Sequence, residues 1–292
     1  MRPSLQSKIL SLVFKLINFK KKVEEKAYKQ NPKSKKLFVP RSIIRNYKTD
    51  IQSINSKTIA TFERKENVTI NHIISFHGGA YIFEISSSHW KLAKNIVDKS
   101  SCRMSLIDYP LAPEFSYKQT LNMVQRAYNL LLTKYPDDIF IFMGDSSGGG
   151  LALAFIQRLI QENNKNIPAK CILISPWLDL TLSNSNISQL EISDHILSIG
   201  MLKYAAEKYS NGDNLENYLL SPINGIFENI PKTIIFYGTE ELFNADCNKL
   251  KAMIDDNSII FREYERMQHV WPLFPIPERE LVLDEICDFI YE

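Results

Sequence analysis

Six of the ten glycines in this 292-residue chain are packed into two short clusters, Gly78-Gly79 and Gly144 with Gly148-Gly149-Gly150. Glycine carries no Cβ, so such clusters mark places where backbone must turn tightly or pass close to other atoms. Each cluster follows a short apolar run, 72–76 before the first and 139–143 before the second, and a stretch of helical spacing, 149–163, follows the second. The chain is therefore built to pass from strand through a tight turn into helix around residue 146.

The same alternation continues. Runs 72–76, 104–108, 139–143, 171–175, 233–237 and 259–264 are rich in β-branched and aromatic residues, and 89–99, 119–134, 149–163, 244–255 and 277–291 have helical period. Strand following helix following strand predicts an α/β fold whose mostly parallel sheet is covered on both faces. The less regular segment 37–64 supplies edge strands. With 45% hydrophobic and 23% charged residues, the composition is that of a globular protein, neither disordered nor fibrous. There is no internal repeat and no Gly/Ser- or Pro-rich linker. Two stretches break the alternation: residues 1–45, expected as an N-terminal cap segment, and about 180–221, expected as a cap insert within a catalytic domain of 46–292. In parallel sheets ligands bind beyond the carboxyl ends of the strands, so a cap there shapes entry.

Charge and cysteines narrow the classes further. A net charge of +2 gives no nucleic-acid footprint. The apolar run 9–19, followed by Lys20, Lys21 and Lys22 and then Lys33, Lys35 and Lys36, has two readings: a membrane-surface helix with a cationic flank, or an amphipathic helix covering the protein's own surface. It is too short to span a bilayer, Lys15 interrupts it and no small-residue cleavage site follows, so stable membrane insertion and a secretory signal are not expected. The second reading is the one expected. Cys102, Cys171, Cys247 and Cys287 are far apart and lack metal spacing, which points away from a disulfide framework and towards the cytoplasm.

The chemistry lies in the glycine clusters. Gly144-Asp145-Ser146-Ser147-Gly148 fits Gly-x-Ser-x-Gly between strand and helix, where Ser146 is presented at a helix N-terminus that favours developing negative charge. The bland alternatives are a turn with an N-capping serine, or a phosphate loop, which would want a Gly-Lys-Ser/Thr ending that is absent. His77-Gly78-Gly79-Ala80 ends the preceding strand at the same sheet edge. Acyl transfer develops an oxyanion, and Gly78 and Gly79 from one side with Ser147 from the other are the candidate N–H donors; His77 is expected to hold the loop. A serine nucleophile needs a base, and in this topology the order is serine, acid, histidine. Of His72, His77, His89, His195 and His269, only His269 follows the last strand. The acid belongs just after run 233–237, where Glu240, Glu241 and Asp246 compete; Glu241 is best placed, with Asp246 expected in the first helical turn and Glu240 facing solvent.

These motifs, together with Asp108-Tyr109-Pro110-Leu111-Ala112-Pro113-Glu114, Ser175-Pro176-Trp177-Leu178-Asp179 and His269-Val270, resemble the hormone-sensitive-lipase-like branch of the α/β-hydrolase family, which includes bacterial esterases of the acetyl-esterase type. The resemblance runs from about residue 70 to the end. It implies an α/β-hydrolase fold with a helical cap, Ser146 as nucleophile, His269 as base and Gly78, Gly79 and Ser147 as oxyanion donors, with Asp108, Glu114 and Asp179 as structural members of their motifs. The chain departs from the family pattern at three places: Glu241-Leu242-Phe243 where aspartate-proline-leucine is usual, Pro110 for arginine, and Ser147 for alanine. The activity implied is hydrolysis of small short-chain acyl or aryl esters through a Ser-His-Glu triad and an acyl-enzyme, with no metal or organic cofactor called for. The expected partner is a small-molecule ester, with a homodimer possible. A non-catalytic receptor on the same fold, and an amidase or peptidase with the same triad, are the alternatives.

Overall fold

A computed structural model describes residues 3–29, 37–54, 56–66, 69–254 and 258–292. Eight strands form one sheet: β1 (Lys48–Ile54), β2 (Lys57–Glu63), β3 (Asn71–Phe76), β4 (Arg103–Ile107), β5 (Ile139–Asp145), β6 (Lys170–Ile174), β7 (Lys232–Gly238) and β8 (Ile259–Tyr264). The spatial order is β1-β2-β4-β3-β5-β6-β7-β8. β1 pairs antiparallel with β2, and β2 with β4; every other pair is parallel. The segment 37–64 thus supplies the antiparallel edge, preceded by a short helix α3 (Arg41–Asn46).

The apolar runs read as continuous because the central strands are buried on both faces. Ile74, Phe142, Leu173 and Ile235 face one core, shared with α5 (Tyr117–Lys134) and α6 (Ser147–Gln161). Their neighbours Ile73, Ile141, Ile172 and Ile234 face the other, shared with α4 (Ser87–Ser100) and α10 (Pro277–Tyr291). A one-residue slip in any of these strands would exchange its two faces, which fixes the register. α9 (Asn244–Met253) closes the β7 to β8 crossover; the expected end of this helix at Asp255 lies outside the described residues.

At the amino ends of the strands a polar network is buried. His72 Nδ1 lies 2.9 Å from Asp138 Oδ2 and its Nε2 lies 2.7 Å from Ser105 Oγ, which in turn meets Thr61 Oγ1 at 2.6 Å. Arg103 bridges Glu63 and Asp138. This is a serine–histidine–aspartate array in outline, yet His72 and Ser105 are 0% exposed, so no substrate reaches it.

Between β6 and β7 the chain inserts α7 (Ile187–Ser193) and α8 (Ile199–Ser210). The N-terminal helices α1 (Leu5–Leu16) and α2 (Phe19–Tyr28) join them: α2 packs on α8, α1 on α2 and α10. Lys20 Nζ donates to the Glu191 carbonyl, and Lys26 Nζ sits 5.3 Å over the Phe83 ring, beside the first glycine cluster. The expectation that the N-terminal helix covers the protein's own surface is met on one side only. Ser7 and Phe14 are buried, but Leu5, Ile9, Leu12 and Leu16 are exposed. Lys33, Lys35 and Lys36 lie outside the described residues. The four cysteines are free.

Candidate active site

Ser146 sits at the junction of β5 and α6 with φ 52° and ψ −123°. Such a conformation costs a non-glycine residue about 1–3 kcal/mol and persists only when its surroundings dictate it. Here they do. The Ser146 N–H donates to Ile174 O at 2.9 Å, and its carbonyl accepts from Gly149, Gly150 and Trp177 N–H groups at 3.0, 3.1 and 2.9 Å. The glycines are forced by contact: a Cβ on Gly144 would lie 2.3 Å from Gly148 O, and one on Gly148 would lie 2.0 Å from Phe76 O. Strand and helix approach too closely for any side chain, and the turn projects Ser146 Oγ at the start of α6.

His269 Nε2 lies 2.9 Å from Ser146 Oγ, and His269 Nδ1 lies 2.7 Å from Glu241 Oε2. An ionised carboxylate only accepts, so the Nδ1 proton faces Glu241 and Nε2 is left to accept from the serine. The structure thus brings Ser146, Glu241 and His269 together in one buried chain of hydrogen bonds. The competing carboxylates are elsewhere. Glu240 pairs with Arg266 at 3.2 Å and receives Gln268 Nε2 at 3.1 Å. Asp246 does fall in the first turn of α9, but it is buried, and burial, with Asp179 adding to it, pushes its carboxyl up to about 7. His195 is held on the insert by its backbone N–H to Gln268 Oε1, 2.8 Å away.

Three residues around this chain were not expected from sequence. Ser175 Oγ donates to Glu241 Oε1 at 2.9 Å and accepts from Val270 N–H at 3.1 Å, tying the carboxylate to the loop that carries His269; Gly238 N–H donates to the same Glu241 oxygen at 2.7 Å. Asp194, on the insert, receives Leu242 N–H at 3.0 Å and the N–H groups of Ile196 and Leu197, both at 2.8 Å, and burial raises its carboxyl while His269 opposes that rise. The signal for Ser175 was present in its Ser-Pro-Trp motif but gave no role; Asp194 offered none, because its part depends on how the insert folds back.

The third is Asp145, and it corrects one expectation. Gly78 N–H donates to Asp145 Oδ1 at 3.0 Å, and a Cβ on Gly78 would lie 2.2 Å from Asp145 Oδ2. Gly78 is therefore engaged in holding its loop against the elbow, not offering its N–H to a ligand. Gly79, at φ 125°, donates to no acceptor among the described residues. Ser147 opens α6, so its N–H has no intrahelical partner. His89 Nδ1 accepts from Ser86 N–H at 2.9 Å, which puts its proton on Nε2, 3.2 Å from Asp145 Oδ2. Burial works to raise the Asp145 carboxyl, but His89, the Gly78 N–H and His77 outweigh it and hold it below the usual range. His77 holds the loop as expected: its Nδ1 donates to Gly78 O at 2.7 Å, its ring stacks on Tyr109 at 4.3 Å, and burial above all brings its pKa down to about 3. Among the described residues no group of three or more His, Cys, Asp and Glu is placed to hold a metal.

Residues 73–273 match the family model of the α/β-hydrolase fold. The chain belongs to the α/β-hydrolase fold family. This α/β-hydrolase is 31% identical to an esterase of Acinetobacter venetianus over 224 residues, 74% of this chain and 73% of that one. It is 28% identical to an acetyl-hydrolase of Streptomyces hygroscopicus over 216 residues, 72% of each. Among solved structures, a Staphylococcus aureus protein provisionally assigned as an esterase superimposes with a TM-score of 0.82 at 30% identity, covering 95% of this chain and 92% of that one. With its ordered motifs, this α/β-hydrolase falls in the hormone-sensitive-lipase-like branch. No described helix is long and apolar enough to cross a membrane.

Proposed function

We propose that this α/β-hydrolase cleaves small carboxylic esters with Ser146 as nucleophile, His269 as general base and acid, and Glu241 as the carboxylate that orients the histidine. That it is a carboxylic ester hydrolase follows from its branch and relatives. The single observation that carries the residue assignment is the unbroken path Ser146 Oγ to His269 Nε2, then His269 Nδ1 to Glu241 Oε2, at 2.9 and 2.7 Å.

In this mechanism Ser146 Oγ attacks the ester carbonyl carbon as its proton passes to His269 Nε2. Glu241 holds the Nδ1 proton and stabilises the imidazolium that forms. The carbonyl electrons move onto oxygen, where the N–H groups of Gly79 and Ser147 and the positive end of α6 stabilise them; one such donor is worth about 3 kcal/mol in the transition state. Collapse expels the alcohol, protonated by His269, and leaves the acyl group on Ser146. Water, deprotonated by the same histidine, then releases the carboxylic acid.

A buried aromatic row adjoins the histidine. Tyr81, Trp177 and Phe243 stack in a buried row with centroids 5.9 and 5.6 Å apart, and Phe243 meets His269 edge-on at 5.1 Å. The proposed preference for a small acyl group is supported by the acetyl-hydrolase among the relatives. We assign the N-terminal residues 1–45 and the insert about 180–221 together as a cap, supported by the α2–α8 packing and by the Asp194 to Leu242 bond that fastens the insert beside the acid loop. A receptor role is disfavoured by a base that stands within hydrogen-bond reach of its serine.

The test is hydrolysis of p-nitrophenyl acetate, butyrate and palmitate, and of p-nitroacetanilide, by the wild type and by Ser146→Ala, His269→Ala and Glu241→Ala. Turnover of the short esters, abolished in the first two variants and reduced in the third, is expected. Turnover of the anilide in preference to the esters would make it an amidase, and wild-type inertness on all four would sink the assignment.

A further inference from the structure

α1 carries apolar side chains on two opposite faces. Inward, Phe14 meets Phe19 at 4.8 Å and Phe274 at 5.2 Å, with Ser7 buried and Leu10 partly buried on the same side. Outward, Leu5, Ile9, Leu12 and Leu16 recur at steps of four, three and four residues, the spacing that aligns side chains along one stripe of a helix. They are 69%, 51%, 54% and 74% exposed, and Val13 and Ile17 beside them are exposed as well. Packing against the described residues therefore does not explain the outer stripe, and a continuous exposed apolar row marks an interaction surface.

The charges around the stripe identify its partner. α1 contains no acidic residue, while Lys8 and Lys15 lie along one border and Lys21 and Lys22 follow at the start of α2. All four lysines are exposed, and among the described residues none stands in an ion pair. A second copy laid on this stripe would set lysine rows near each other with no carboxylate on α1 to answer them. A surface that is apolar beneath and anionic at its rim suits both features at once.

We propose that the outer stripe of α1, with its lysine border, docks the protein onto the surface of a lipid bilayer that contains anionic phospholipid. The four aliphatic side chains sink to the boundary between headgroups and acyl chains, and the lysines meet the headgroups. The helix lies in the plane of the interface without crossing it. Through Phe14 and Phe274 the docked helix is coupled to the loop that follows His269.

The experiment is co-sedimentation of the full chain with vesicles of phosphatidylcholine alone and of phosphatidylcholine mixed with phosphatidylglycerol. Partitioning at least about tenfold stronger on the anionic vesicles, weakening as salt is raised, is expected. Ile9→Gln/Leu12→Gln/Leu16→Gln should abolish binding while leaving the melting temperature and hydrolysis of a soluble ester unchanged, since these side chains face outward. Lys8→Gln/Lys15→Gln/Lys21→Gln/Lys22→Gln should remove the preference for anionic vesicles. No binding to either vesicle, or binding that survives the triple substitution, overturns the proposal. So does a wild-type dimer that the triple substitution dissolves without any vesicle binding, since a second copy would then cover the stripe.

Discussion

Removing the Ser175 hydroxyl tests whether the geometry around Glu241 matters beyond the three residues in the hydrogen-bonded chain. In Ser175→Ala the carboxylate loses a donor at 2.9 Å but keeps Gly238 N–H at 2.7 Å and His269 at 2.7 Å. A hydrogen bond to a charged group contributes about 1.5–3 kcal/mol, and only the part that strengthens as the imidazolium forms counts towards rate. That part, taken near the lower bound, is about 1.4 kcal/mol, or roughly a tenfold fall in kcat with KM little changed. The same substitution strips Val270 N–H of its acceptor at 3.1 Å. An orphaned buried N–H costs about 1–3 kcal/mol, so the melting temperature should fall too. The assay is steady-state hydrolysis of p-nitrophenyl acetate beside a thermal melt. A purely structural role for Ser175 would lower the melt and leave kcat within about twofold of wild type, and that result would refute the positioning argument.

Other expectations follow from particular contacts. Gly148→Ala places a methyl group 2.0 Å from Phe76 O, so the β5–α6 crossing must open; a loss above about 4 kcal/mol is expected, read as failure to fold in a denaturant titration. Ser105→Ala leaves His72 Nε2 and Thr61 Oγ1 without their partner and should cost about 1–3 kcal/mol of stability with kcat unchanged; a lost activity would mean that the buried array at the far end of the sheet has a second role. Asp246 titrates at about 7 in the folded protein, against 3.8 as its ordinary value. The folded state then holds a proton that the unfolded chain has released, so stability falls as pH rises from about 4 to about 7 and levels off above. Asp246→Asn should flatten that slope and leave the variant more stable than wild type above pH 7, by at most about 4 kcal/mol; parallel slopes in urea melts across this window would contradict it.

The sheet was legible because each central strand is apolar on both faces and each tight crossing needs glycine, and both marks can be read locally. β5 runs two residues beyond its expected end, to Asp145, because that carboxylate belongs to the elbow and not to the loop after it. Ser146 and His269 could be ordered along the chain, and Glu241 could be ranked above its neighbours, because topology limits where each can sit. What sequence could not supply was the far partner of each polar group. Gly78 looked like an oxyanion donor until Asp145, 67 residues away, was seen to hold its N–H. Asp194 and Ser175 act through bonds to Leu242 and Glu241, and such long-range pairs leave no periodicity behind. For the N-terminal helix the expected packing on the protein's own surface holds for its inner face alone: its apolar residues lie on two faces, and composition does not say which one the protein keeps.

The order of the sheet also sets when the site comes into being. Ser146 and His269 are 123 residues apart, and the proposed base stands in the loop after β8, the outermost parallel strand and the last to be synthesised. A chain emerging from the ribosome can complete the strained serine turn once β6 is available to receive the Ser146 N–H, long before His269 is made. On the proposed assignment, a truncated product that ends after β6 but short of residue 269 carries the serine turn with no base, and hydrolytic competence arrives only with the closing edge of the sheet.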